Sequence, residues 1–232
     1  MKIDIVTLFP ELFNDFLNTS IISKAQQRNL VEIQVTDLRD YSKRNHKQVD
    51  DTPYGGGVGM LLDFPSIYDC IEDLKTEKSK VILMSPQGKL FNQETANTLA
   101  VEKHIILIAG HYEGFDARIE EIIDEEISIG DYVLTGGEIP AMVITDAVTR
   151  LIPGVIMEAS VKEDSLYEGI LKYPQYTKPY EYKGYKVPDV LLSGHHANIE
   201  KWRKKMAIEV TMKKRPDLLK KNKDWNSILS LI

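Results

Sequence analysis

Apolar residues along this chain follow two alternating rhythms. Runs rich in Val and Ile recur at Ile3 to Leu8, Val31 to Leu38, Lys80 to Met84, His104 to Ala109 and Ile127 to Leu134, each the length of a buried strand. Between them the spacing approaches 3.6 residues, which predicts helices over Pro10 to Arg28, Phe64 to Glu77, Asn92 to Glu102 and Phe115 to Asp124. Asn92, followed by Glu94 and Thr95, reads as a helix start. A further helix is expected from Pro140 to Arg150, with Ala141, Val143, Ile144, Ala147 and Val148 on one side and Pro153-Gly154 as its stop. Strand alternating with helix argues for an α/β fold, a parallel sheet with helices on both faces.

That body is expected to occupy residues 1–159. From 160 to 188 the composition turns to polar residues, tyrosines and three prolines, which reads as a connector that need not be ordered without a ligand. Residues 189–232 return to a helical pattern and form a small second domain. The net charge of -6 over 232 residues argues against a nucleic-acid partner when taken alone. Yet Glu200 to Lys223 holds ten Lys or Arg against three acids, a local balance of +7 that leaves -13 for the rest. A basic segment on an acidic body fits RNA phosphates, although a solvated helix face has the same pattern. No apolar stretch approaches the roughly 20 residues of a membrane-spanning helix. The first residues have no signal-peptide pattern, and the single cysteine, Cys70, sits in an amphipathic stretch that favours a buried thiol, so a cytoplasmic protein is expected.

In an open parallel sheet, ligands bind beyond the carboxyl ends of the strands. Three segments there carry unusual residues: Met84 to Gly88, Ala109 to Gly114, and Ile129 to Pro140. Their glycines allow close main-chain approach to a nucleoside, and three such loops at successive strand ends favour a pocket over three separate turns. No G-x-x-x-x-G-K-[ST] occurs, and the glycines at 55, 56, 57 and 59 lack the strand and the spacing of a dinucleotide loop. Pro53 to Met60 is therefore either a plain connection or a lid. The five histidines show no zinc-ligand spacing, and no G-x-S-x-G is present.

The segments HYEGFDARI (His111 to Ile119), SIGDYVLTGGEIPAMVITDAVTRLIPGV (Ser128 to Val155), EDS (Glu163 to Ser165) and LLSGHHANIEKWR (Leu191 to Arg203) closely resemble the bacterial tRNA (guanine-37-N1)-methyltransferases of the knotted SPOUT class. The resemblance runs nearly end to end, from Asp4 to Leu219. It implies a deep trefoil knot in the α/β domain, which local patterning would not propose because threaded chains are very rare. It also implies a homodimer with the active site at the subunit interface, S-adenosylmethionine bound in the knot, and the tRNA anticodon stem-loop as substrate. Magnesium is implied as an aid to activity, with no carboxylate cage in the motifs to hold it.

By position, the family's cofactor pocket falls on Leu83, Ser85 and Pro86; on Gly110, Tyr112 and Glu113; and on Ile129, Gly130, Asp131, Tyr132, Val133, Leu134, Gly136, Gly137 and Pro140. Its general base corresponds to Asp164 and its electrostatic partner to Arg150. Read without the resemblance, Asp164 could equally cap a helix and Arg150 could pair with Asp146. In the second domain, Ile199, Trp202 and Met206 share a helix face, leaving Lys201, Arg203, Lys204 and Lys205 to approach phosphates. His195 and His196 are the candidates for contacts to bases, with His195 standing where the family commonly has asparagine.

Overall fold

The computed structural model describes residues 1–166 and 169–221. The chain divides into two compact units, Met1–Met157 and Glu158 onward. In the first, the elements follow as β1 (Lys2–Thr7), α1 (Asn14–Leu17), α2 (Ser20–Gln27), β2 (Glu32–Asp37), the short pair β3 (Asp50–Asp51) and β4 (Leu61–Leu62), α3 (Phe64–Leu74), β5 (Ser79–Leu90), α4 (Gln93–Leu99), β6 (His104–Ala109), β7 (Glu125–Ser128) and α5 (Glu138–Thr149). Five strands form one sheet in the order β2-β1-β6-β5-β7, and every pairing is parallel.

A parallel sheet covered on both faces needs apolar residues at odd and even positions alike, and central strand β6 is buried throughout. Its side chains alternate between two cores. Ile105, Leu107 and Ala109 join Ile22, Ala25, Leu99, Ala141, Ile144 and Val148 from α2, α4 and α5. Ile106 and Ile108 join Ile67, Cys70 and Ile71 from α3. Near the start of the strands, His104 Nε2 lies 2.7 Å from Asp4 Oδ2 and its Nδ1 2.6 Å from Ser79 Oγ. Lys2 Nζ reaches the same Asp4 oxygen at 2.8 Å. These bonds offset the cost of desolvating Asp4 at the sheet edge away from the strand ends.

Several expected elements differ. The helix expected over Pro10 to Arg28 is broken, because Asn18 and Thr19 turn their side chains back onto the carbonyls of Asn14 and Asp15 at 2.8 and 2.6 Å. The expected strand Ile127 to Leu134 stops at Ser128, where Gly130 takes φ +153 and donates its N–H to Ser128 Oγ. Phe115 to Asp124 yields only a 3-10 turn at Ala117–Glu121, since Asp116 donates its N–H to the carbonyl of Leu62 and keeps the preceding segment extended. Strand β5 runs past Met84: both Met84 and Lys89 face Ile127, and residues 85–88 loop out between them. Helix α5 starts two residues before Pro140, a position whose missing N–H has no intrahelical acceptor in any case. Its buried side is Ala141, Ile144, Thr145, Val148 and Thr149, and Val143, expected inside, is 40% exposed.

The second unit contains α6 (Glu158–Lys162), the hairpin strands β8 (Glu181–Tyr182) and β9 (Tyr185–Lys186), α7 (His196–Lys214) and α8 (Pro216–Lys221). Buried Thr211 on α7 accepts from the Leu171 N–H at 2.9 Å and donates to the Ala207 carbonyl at 2.7 Å, tying the segment before the hairpin to the helix. The helical pattern expected to continue to Ile232, with Lys223 of the basic run, lies outside the described residues after 221.

Candidate functional site

At the bulge of β5 and beyond the carboxyl ends of β6 and β7, the three glycine-bearing loops enclose a cavity of about 620 Å³. That is within the range of small-molecule sites, roughly 300–1,000 Å³. Of the fifteen residues expected to hold a cofactor, fourteen line it: Leu83, Ser85 and Pro86 from the bulge of β5; Gly110, Tyr112 and Glu113 after β6; and Ile129, Gly130, Tyr132, Val133, Leu134, Gly136, Gly137 and Pro140 after β7. Asp131 does not, and it is exposed.

Glycine is needed where the loops meet. Gly137 donates its N–H to the Gly110 carbonyl at 2.7 Å, and a Cβ on Gly137 would lie 2.7 Å from the Gly110 nitrogen. No side chain fits in that junction, so this wall offers a ligand main-chain groups alone. Tyr112 takes a left-handed φ of +59, and the Glu113 N–H after it donates to the Met60 carbonyl at 3.1 Å. That bond joins the pocket to the glycine-rich stretch ending at Met60.

The lining carries Glu113, Glu120 and Glu126 but no Lys or Arg among the described residues. A cavity with carboxylates alone attracts a cationic ligand and repels a phosphate. Apolar walls from Leu83, Pro86, Ile127, Ile129 and Leu134 complete it. The residues therefore fit a flat nucleoside with a positive centre better than a nucleotide.

The remaining expected site residues are held within their own units. Arg150 is the C-cap of α5, half-buried, its N–H bonded to the Asp146 carbonyl at 3.2 Å. Asp164 follows α6 in the second unit, half-buried, its N–H directed to the Val161 carbonyl at 3.3 Å. His195 caps α7 by accepting the Asn198 N–H on Nδ1 at 3.4 Å, and His196 and Lys204 are exposed. Arg203, expected to face phosphates, is half-buried: its guanidinium lies 4.9 Å from the centre of the Tyr173 ring and its Nε is shielded from solvent.

The family model described as tRNA (guanine-1)-methyltransferase TrmD matches residues 1–221. The chain belongs to that family. Membership makes it an enzyme, a methyltransferase. It is 58% identical over 226 residues to the tRNA (guanine-N(1)-)-methyltransferase of Ruminiclostridium cellulolyticum, covering 95% of this chain and 97% of that protein. Proteins of the same name in an Aster yellows witches'-broom phytoplasma and in Acholeplasma laidlawii are each 57% identical, covering 96% and 100% of this chain and 93% and 97% of theirs.

His111 and Thr135, inside the loops that the sequence marks, also line the cavity, as does Phe115 just beyond them, and two buried residues, Thr7 and Glu138, lie behind it. Nothing in the sequence pairs Glu138 with Thr7, 131 positions away.

Proposed function

We propose that this chain transfers the methyl group of S-adenosylmethionine to N1 of guanine 37, beside the anticodon, in tRNA. Family membership supports methylation of a tRNA guanine at N1. The observation carrying the reading is the cavity itself, whose lining among the described residues has three glutamates, a run of glycines and no Lys or Arg, the chemistry suited to a sulfonium nucleoside. When bound, S-adenosylmethionine supplies an electrophilic methyl group.

The protein's own tasks follow from the acceptor. Guanine N1 carries a proton at neutral pH and is a nucleophile only once that proton leaves, so Asp164 acts as the base that removes it. The departing proton leaves negative charge on O6, where Arg150 donates a hydrogen bond that strengthens as the charge develops. Holding N1 in line with the methyl group supplies much of the remaining acceleration. Lys204 and its neighbours on α7 attract the anticodon-stem phosphates, and His195 and His196 meet splayed bases. The homodimer that the family implies would let a second copy complete the active site. The return of the chain from edge strand β7 to bond Gly110 at the end of β6 supports the knotted path that the family implies.

The test is transfer of labelled methyl to an anticodon-loop transcript with guanine at position 37 and to a copy with adenine there, with and without magnesium. Methylation of the guanine transcript alone is expected. Transfer to neither, with the methyl donor still bound, would redirect the reading to a knotted methyltransferase of another RNA.

A further inference from the structure

Behind the wall where the second and third pocket loops meet lies a buried carboxylate that does not itself line the cavity. Glu138, the first residue of α5, is 4% exposed. Its Oε1 accepts a 2.9 Å hydrogen bond from the hydroxyl of Thr7, at the end of β1. Thr7 in turn accepts the Phe9 N–H at 3.0 Å, and the Phe9 ring packs on the imidazole of His111 with centroids 4.8 Å apart. Glu138 Oε2 faces His111 Nδ1 at 3.6 Å, and that nitrogen is shielded from solvent with no hydrogen-bond partner among the described residues. A Cβ added to Gly136 would fall on the Glu138 carboxylate and within 2.5 Å of His111 Nδ1.

The carboxylate thus touches both loops from behind: His111 belongs to the second and Gly136 to the third, and both line the cavity. Burying a carboxyl group is costly unless fixed partners replace water. Here the Thr7 hydroxyl supplies one such partner, and the other carboxyl oxygen faces the imidazole of the second loop.

We infer that Glu138, anchored by Thr7, is a positioning residue that fixes the relative placement of the two main-chain walls of the methyl-donor pocket. This rests on the reading of the cavity as the donor site. Neither residue reaches the cavity, so their effect falls on donor affinity and leaves the chemistry at guanine unchanged.

The experiment measures binding of S-adenosylhomocysteine by calorimetry, together with KM for S-adenosylmethionine and kcat, in the full-length wild type and in Glu138→Gln, Thr7→Val and Thr7→Ser. Thr7→Val, which removes the hydroxyl, and Glu138→Gln, which exchanges a carboxyl oxygen for an amide nitrogen between Thr7 and His111, are each expected to weaken S-adenosylhomocysteine about tenfold. The KM for the donor rises in parallel, and kcat at saturating donor stays within about threefold. Thr7→Ser, which keeps the hydroxyl, restores affinity. The Glu138→Gln/Thr7→Val double variant loses little more than either single one. Unchanged affinity in both single variants, a fall in kcat at constant KM, or a Thr7→Ser variant no better than Thr7→Val would each overturn the inference. Failure of the wild type itself to bind S-adenosylhomocysteine would remove the donor-site reading beneath it.

Discussion

At the scale of single residues, the functional reading separates binding from chemistry. Asp164→Ala and Arg150→Ala are expected to lower methyl transfer by at least about a hundredfold, as for loss of a general base or of an oxyanion donor, while leaving donor affinity nearly intact. Calorimetry beside a turnover assay checks this, and a large loss of donor affinity in Asp164→Ala would count against its role as base. Cys70 belongs to the core instead. Burial, with Asp73 and Asp4 adding, pushes its thiol up to about 12 from an ordinary 9.0. The folded state thus favours the neutral thiol, a contribution fully present below pH 9.0 and lost as the pH rises towards about 12. Cys70→Ala should flatten the fall in urea midpoint across that interval. The loops that line the cavity were legible in the sequence because glycines recur in them at successive strand ends. Glu138 was not legible, since an acid opening a helix is ordinary and its burial depends on Thr7.

At the scale of elements, the positions of strands were readable and their ends were not. The Val- and Ile-rich run from His104 to Ala109 matches β6 at both limits, because a strand buried on both faces has no polar position to blur it. The path of β5 was hidden, since Ser85, Pro86 and Gly88 look like a stop, whereas parallel pairing to β7 resumes at Lys89. At Gly88 an added Cβ would collide with the backbone of Glu126 and Ile127. Gly88→Ala is therefore expected to destabilise the protein by about 1–3 kcal/mol, the usual range for overpacking, and to weaken donor binding because Ser85 and Pro86 lie in the same bulge. The cap of α4 offers a milder comparison. Asn92 accepts the Thr95 N–H at 3.0 Å, and Asn92→Ala should cost about 1 kcal/mol with donor binding unchanged. Thermal melts with and without S-adenosylhomocysteine separate the two variants.

At the scale of the whole molecule, local periodicity has nothing to say about threading or assembly. Only the motifs at His111 to Ile119, Ser128 to Val155, Glu163 to Ser165 and Leu191 to Arg203 led to the family, and the family to the expected knot and homodimer. If Arg150 of one copy works with Asp164 of another, co-expressing Arg150→Ala with Asp164→Ala should recover about a quarter of wild-type activity, since half the dimers are mixed and each of these has one intact site. A site made within one copy would recover none. The glycine junction at Gly110 and Gly137 has a further consequence, for selection under an inhibitor. A competitor of the donor that bonds to those peptide groups presents the cell with no side chain to exchange, and the added methyl of an alanine would damage the enzyme before it excluded the drug. Resistance to such a compound would not arise at Gly110 or Gly137 themselves.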